Sequence, residues 1–506
     1  MTLEEVYINF LKKLPGVSEP IRRLPFKAKI KWTGITLILY LLMSEIYLYG
    51  IQDTSFEQFQ VLSMIMGSSF GTLMTLGIGP IVTASIILQL LVGSKLIGWD
   101  LQSESGRVMF QGTQKLLAIV FAFVEAVIFV MMGAIPASGP EFFIFVVLQL
   151  AAGGVLVIFM DELISKWGFG SGVSLFIAAG VSKTIIIGMF NPFMNEEGVP
   201  MGRIPQMIYF LGQGDPATAL IVSFLPVIAT VIVFFLVIYS NAIKVEIPLA
   251  FGSIRGFGRR WPLKFFYTSN LPVILVAALL ANVQLMGRML YEKGIPWLGT
   301  FSENQATGGL VYFLVPPRSP PIMGIMIFIG IFALIGAAIA YFTQKKGLKI
   351  TALFAVLGGV AWFGVASSLG LSSLLVIDPI DIARMFTYSC FMIIGAVVFS
   401  YFWMTTAGMD SASVAKQIES TGMQIPGYRR DVRIIEKVLN RYIPGLTILG
   451  GAAVGMLAAY ADFTGALGTG TGILLATMII YSLYEELAQQ HMEDMHPALR
   501  KLMGKG

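Results

Sequence analysis

The stretch Thr75-Leu-Gly-Ile-Gly-Pro-Ile-Val-Thr-Ala-Ser-Ile-Ile-Leu-Gln-Leu-Leu-Val-Gly93 decides how the rest of this chain is read. It lies in a segment, 72–93, that is long and apolar enough to cross a membrane, which takes about 20 residues at about 1.5 Å each. Yet Gly77-Ile78-Gly79-Pro80-Ile81-Val82-Thr83 sits inside it. Pro80 removes a backbone donor and the glycines loosen a helix. Glycines within spans usually mean close helix packing. That explains a prolyl break flanked by β-branched residues less well.

Outward from 72–93, eleven further segments have the same length and character: 32–51, 116–135, 142–163, 171–189, 217–239, 269–289, 322–342, 351–372, 382–403, 444–461 and 465–484. The composition of the 506 residues agrees, with 56% apolar, 12% charged and a mean hydropathy of +0.79. A soluble chain carries about 25% charged residues, so this one is solvated mostly by lipid. The apolar runs are continuous rather than alternating, which excludes a transmembrane barrel and predicts an all-α polytopic membrane protein. Residues 1–31 hold no apolar core of signal-peptide length.

Lysine and arginine set the orientation. With the amino terminus in the cytoplasm, 28 of the 34 fall on cytoplasmic segments; the exceptions are Lys183, Arg203, Arg288, Lys293, Arg318 and Arg384. Twelve crossings with both termini inside are predicted. Catalysis finds little to work with. Cys390 is the one cysteine, and His491 and His496 both lie in the polar tail. No phosphate-binding loop or aspartate-rich metal motif is present, so neither an enzyme nor a cofactor is expected.

Four segments are neither plain spans nor plain linkers. Residues 53–70 are too polar to cross and too apolar for a solvated loop. Two readings fit them: a half-helix folded back into the protein, or a helix on the outer membrane surface. Residues 2–14 put Leu3, Val6, Tyr7, Phe10, Leu11 and Leu14 on one side of a surface helix. Residues 240–268 and 404–443 are long basic cytoplasmic loops. Gly252, Gly256 and Gly258 favour a turn between two ordered arms in the first. Such basic loops serve as topology determinants, or meet phosphate-rich partners such as anionic lipid or ribosomal RNA. Within the spans, charge is scarce. Glu125 is central, Lys183 lies in the outer half of its span, and Glu45 and Arg288 are near outer ends. That is thin support for an ion-coupled transporter, which keeps several buried acids or charge-lined broken helices.

Four motifs together resemble the SecY-type protein-conducting channel in its archaeal form, closer to the eukaryotic translocon alpha subunit than to the bacterial protein. They are TLGIGPIVTASIILQLLVG at 75–93, KVEIPLA at 244–250, SNLPVILVAALLANVQL at 269–285 and FTGALGTGTGILL at 463–475. GFGSGVSLFIAAG at 168–180 and IPGYRR at 425–430 agree with them, and the likeness runs through nearly the whole chain. The resemblance implies two inverted five-helix halves, about 1–192 and 193–506, hinged around an hourglass pore. Residues 53–70, with Phe56, Phe59, Leu62 and Ile65, then resemble the plug that closes the external funnel. Ile78, Val82, Val173, Ile177, Ile274 and Leu475 match the ring of apolar side chains at the pore waist. Thr83, Glu125 and Asn282 match the polar cluster of the lateral gate, between the second and third family helices on one side and the seventh and eighth on the other.

In function, the resemblance implies a cell-membrane translocon subunit that passes unfolded secretory chains across and releases apolar segments into lipid. Its implied partners are small membrane subunits like SecE and the beta subunit, signal peptides and nascent chains, and the ribosome. Arg255, Arg259, Arg429 and Arg430 are the expected ribosome contacts. The sequence departs from the ten-helix pattern at about 320–376, where an extra two-span hairpin is predicted; a lipid-facing elaboration is its simplest reading. A twelve-span secondary transporter is the alternative. An intramembrane protease is disfavoured by the lack of histidine in the spans and of a mid-span aspartate pair.

Overall fold

Residues 72–93 do not form one helix. In the computed structural model the helix begins only at Gly79, and 69–78 is a series of turns. Two local causes act together. Gly71 and Gly77 take φ of +80° and +51°, a region that interrupts a right-handed helix. Pro80 lies in the first helical turn, where a missing donor costs nothing. Irregular backbone at membrane depth needs internal partners. Here Leu73 N donates to Ile46 O at 2.9 Å, Leu48 N to Gly71 O at 2.9 Å, and Thr72 Oγ1 to Ser69 O at 2.6 Å. The segment presses so closely on a neighbouring helix that a Cβ at Gly153 would fall 1.8 Å from Leu73 O.

The structure describes residues 3–22, 24–52, 69–93, 96–99, 103–195, 198–251, 258–268, 271–302, 305–317, 319–343, 347–368, 376–420, 423–424 and 431–495. A short helix, α1 (Leu3–Leu11), lies against the base of the bundle: Tyr7 Oη and Thr113 Oγ1 are 2.7 Å apart and Leu11 is buried on Gly112. The helices of the first half are α2 (Phe26–Met43), α3 (Gly79–Gly93), α4 (Glu104–Met131), α5 (Phe143–Trp167) and α6 (Gly172–Phe190). An amphipathic helix, α7 (Arg203–Gly212), leads into α8 (Leu225–Asn241), whose start is extended by a π-helical stretch, Ala219–Phe224. Then come α9 (Leu271–Glu292), the hairpin α10 (Pro320–Thr343) and α11 (Gly347–Ser368), and α12 (Pro379–Thr406). A short α13 (Ser411–Ser420) precedes α14 (Val432–Phe463) and α15 (Gly470–Met495).

Ten of these segments are long and apolar enough to span a membrane; α2 and the shorter α3 stand where the other two of the twelve spans are predicted. As α4 begins at Glu104 rather than at 116, so the start of α14 moves by 12 residues. Its helix starts at Val432, capped by Asp431, and runs through Pro444, well before the predicted 444. The run expected to open the last span is instead a turn, with Gly465, Gly468 and Thr469 at φ of +64°, +73° and +63°. One apolar core joins both halves of the chain.

The extra hairpin is packed by glycine. A Cβ at Gly324 would meet the Trp362 ring at 2.2 Å, and one at Gly358 the Phe328 carbonyl oxygen at 2.5 Å. The hairpin lies against α8 and α14, and Tyr460 Oη donates to Met326 O at 2.7 Å. On its far side Leu353, Val356 and Val360 are exposed, as a lipid-facing helix requires.

The described parts of the two long basic loops meet. In the first, β1 (Lys244–Phe251) pairs antiparallel with β2 (Gly258–Lys264); residues 252–257, where the turn is expected, lie outside the described residues. At the opposite end of the bundle β3 (Thr300–Ser302) pairs with β4 (Gln305–Gly308). The second basic loop contributes α13 and β5 (Met423–Gln424), which adds to the free edge of β1. A separate small core beneath them gathers Leu263, Met404, Val414, Ile418, Ile435 and Leu439. Tyr267 Oη donates to Met409 O at 2.7 Å, and burial with Asp410 nearby pushes its pKa up to about 12, which keeps it a donor.

Candidate functional site

Ile78 ends the irregular segment, and Val82 N donates back to Ile78 O at 3.0 Å, so the two side chains sit one turn apart at the start of α3. Val173 and Ile177 occupy the first turns of α6, Ile274 the first turn of α9 and Leu475 the second turn of α15. Ile78, Val82, Ile177, Ile274 and Leu475 all belong to the one apolar core of the bundle, and Val173, partly buried, packs against it. Ile78, Ile177, Ile274 and Leu475 are each at most 2% exposed.

Thr83, one residue beyond Val82, donates to Glu125 Oε1 on α4 at 2.9 Å. Asn282 lies on α9 and makes no side-chain hydrogen bond among the described residues. The seam between these helix sets is apolar. α3 packs on α9 and α12, and a Cβ at Gly93 would fall 2.8 Å from the Phe402 ring. At the outer rim Lys293 Nζ, just past α9, donates to Met131 O at 3.2 Å, the last carbonyl of α4.

The other suspected charges have plain partners. Lys183 pairs with Glu45 and donates to Ser44 Oγ at 3.1 Å. Arg384 pairs with Asp381 at 3.2 Å and lies 4.2 Å from the Tyr312 ring centre. Burial lowers the pKa of Arg203, whose guanidinium donates to Gln206 Oε1 at 2.9 Å. Phe56, Phe59, Leu62 and Ile65, and Arg255, Arg429 and Arg430, lie outside the described residues; Arg259 falls in β2. No cluster of candidate metal ligands occurs among the described residues.

Sequence reasoning passed over two aspartates. Asp161 Oδ1 accepts from Val173 N at 2.9 Å, and Asp462 Oδ1 from Thr471 N at 2.8 Å. Each carboxylate caps a helix that carries ring residues. The signal was available: a glycine-rich turn follows each aspartate, Gly168-Phe-Gly-Ser-Gly172 and Gly468-Thr-Gly-Thr-Gly472.

A polytopic helical bundle whose spans close on one apolar core defines an integral membrane protein. The comparisons with known proteins agree. The SecY family model matches residues 72–484, and that of the plug domain of Sec61p matches 38–71. The protein translocase subunit SecY of Methanothermobacter thermautotrophicus is 44% identical over 99% of both chains. That of Methanocaldococcus jannaschii is 42% identical over 98% of this chain and 99% of its own. A solved protein-conducting channel superimposes with a TM-score of 0.77 at 40% identity, covering 98% of this chain and 99% of that one. Sec61 in a canine ribosome–channel complex from the endoplasmic reticulum gives 0.74 at 40%, with the same coverage. The chain belongs to the SecY family.

Proposed function

We propose that this chain is the pore-forming subunit of a protein translocon, passing unfolded chains through the waist formed by Ile78, Val82, Val173, Ile177, Ile274 and Leu475. The observation that carries this reading is the likeness to a solved protein-conducting channel over 98% of the chain at 40% identity, and it is supported by the place of the six side chains in or against the core that both halves share. Residues 1–192 and 193–506 act as the two halves of a clamshell, opening at the seam where α3 and α4 face α9 and α12. Thr83, Glu125 and Asn282 are the polar groups of that gate. Phe56, Phe59, Leu62 and Ile65 belong to the plug, a role supported by the plug-domain match over 38–71.

No covalent bond is broken by this chain. Movement is driven by a partner, a ribosome elongating the nascent chain. The ribosome docks on the sheet that joins the two basic loops, through Arg255, Arg259, Arg429 and Arg430. Small membrane subunits like SecE and the beta subunit complete the complex. Both termini and these loops face the cytoplasm of a cell whose plasma membrane holds the channel; the concentration of lysine and arginine on them supports this orientation. The transporter alternative has no such support, since Lys183 is already paired with Glu45 and Glu125 with Thr83.

The test is purification of ribosomes carrying a stalled, signal-bearing chain from cells that express variants with a photo-crosslinking residue at 78, 177 or 475. Crosslinks from the waist positions to the stalled chain are expected. Recovery of the ribosome without them would overturn the reading.

A further inference from the structure

Two pore-lining helices begin in the same way. At the start of α6, Asp161 on the preceding helix accepts from Val173 N at 2.9 Å and, on the same oxygen, from Ser171 Oγ at 3.5 Å. At the start of α15, Asp462 on the preceding helix accepts from Thr471 N at 2.8 Å and from the Thr471 hydroxyl. In register with these caps the turns read Gly170-Ser-Gly-Val173 and Gly468-Thr-Gly-Thr471. Gly170 and Gly468 take φ of +67° and +73°. A Cβ at Gly172 would fall 2.5 Å from Asp161 Cα, and one at Gly470 would fall 1.8 Å from the Ala461 carbonyl carbon. Both helix starts are therefore pressed onto the backbone that bears the carboxylate.

An acidic side chain satisfies the orphan donors of a helix start and suits its positive end. At membrane depth a neutral cap carries a smaller desolvation cost than a carboxylate. Among the described residues neither Asp161 nor Asp462 makes an ion pair, and Asp462 is 4% exposed. What the charge adds is stronger, shorter and more directional hydrogen bonds. Their targets lie beside the waist. Val173, whose own N–H is held, is a waist residue with Ile177 one turn on; Leu475 lies one turn beyond Thr471 on the same face. A third donor reaches Asp462: Tyr388 Oη, from the gate helix α12, at 2.6 Å.

We propose that Asp161 and Asp462 are the positioning residues that set the closed waist. Each fixes the height and rotation of one pore-lining helix, and so how far Val173, Ile177 and Leu475 reach inward. Through Tyr388 the second carboxylate also couples the gate to the waist: displacement of α12 withdraws a donor from Asp462 and frees the start of α15. This inference rests on reading the six apolar residues as the pore waist.

The experiment measures resting ion conductance of the assembled translocon in planar bilayers, with thermal stability recorded for every variant. Asp161→Asn, Asp462→Asn, Tyr388→Phe and Thr471→Val are each expected to raise the resting conductance several-fold, and Thr471→Ser to restore it. In a background already widened by Ile177→Gly and Leu475→Gly, the two aspartate variants are expected to add no further conductance. General loosening of the fold would instead add in full. Should the aspartate variants fail to assemble, Tyr388→Phe and Thr471→Val carry the test, since neither alters charge. Wild-type conductance in the folded capping variants, or full additivity with the widened waist, would overturn the proposal. Absence of leak in the widened background itself would remove the waist reading first, and this inference with it.

Discussion

Thr83 on α3 donates a 2.9 Å hydrogen bond to Glu125 on α4, so two of the three polar residues proposed for the gate satisfy each other on one wall of the seam. Asn282, on the opposite wall, has no hydrogen bond to either among the described residues. The cluster is thus one closed pair facing one amide, and its members respond differently to the same substitution. Replacing Asn282 with Leu removes an amide and adds apolar packing, which stabilises the closed gate. Replacing Thr83 with Leu strips Glu125 of its partner, at a cost of about 1–3 kcal/mol. In an insertion assay over a graded series of test helices, Asn282→Leu should raise the hydrophobicity needed for half-insertion and Thr83→Leu should lower it. Equal shifts in both would show that the Thr83–Glu125 bond has no bearing on gating.

The outer rim carries a polar contact that does cross the seam. The Lys293 ammonium sits 3.2 Å from Met131 O, at the carbonyl end of a 28-residue helix. A cation there contributes about 0.3–1 kcal/mol, and salt screens it. Lys293→Met should therefore lower the insertion threshold at low ionic strength. The difference from wild type should fade as salt is raised, and a salt-independent difference would argue for lost packing instead.

The sheet joining the basic loops makes a quantitative prediction about ribosome affinity. If Arg255, Arg259, Arg429 and Arg430 meet phosphates, reversing their charge should weaken binding and flatten its dependence on salt. The log–log slope should fall by roughly 0.7–0.9 for each phosphate no longer neutralised. Titration of labelled ribosomes against reconstituted protein measures both. Unchanged affinity and slope would leave the loops with topology or lipid as their role.

For the hairpin α10–α11 the prediction concerns stability. Gly324→Leu drives a side chain into the Trp362 ring, which already lies 2.2 Å from an added Cβ, and such overpacking costs about 1–3 kcal/mol. Tyr460→Phe removes the bond to Met326 O and should cost about 1 kcal/mol. Thermal unfolding in detergent is the measurement. Resting conductance should stay at the wild-type level in Tyr460→Phe, since the hairpin lies on α8 and α14, away from the seam.

The twelve spans are legible because lipid imposes its demand at every position of a span: each exposed side chain must be apolar and each backbone group paired. The basic loops betray themselves by charge, and the glycines between 252 and 258 mark a turn between arms that are indeed the strands β1 and β2. Hydropathy does not separate a helix from irregular backbone buried in protein. The turns at 69–78 resemble helix in sequence for that reason, since their stability depends on Ile46 and on the missing side chain at Gly153.

Motif resemblance picks out six waist residues, but the chemistry that holds them comes from partners distant in the chain. Tyr388 lies 74 residues from Asp462, and Thr83 lies 42 from Glu125. A lone polar residue in an apolar run announces that it needs a partner, because an unsatisfied polar group is costly there. Which partner it takes is not written in local propensity. The sequence by itself determined the number of crossings and where the polar groups fall along them. Only the packing of the helices decided that Glu125 closes on Thr83, that Asn282 stands apart, and that two aspartates hold the starts of α6 and α15, which carry residues of the proposed waist.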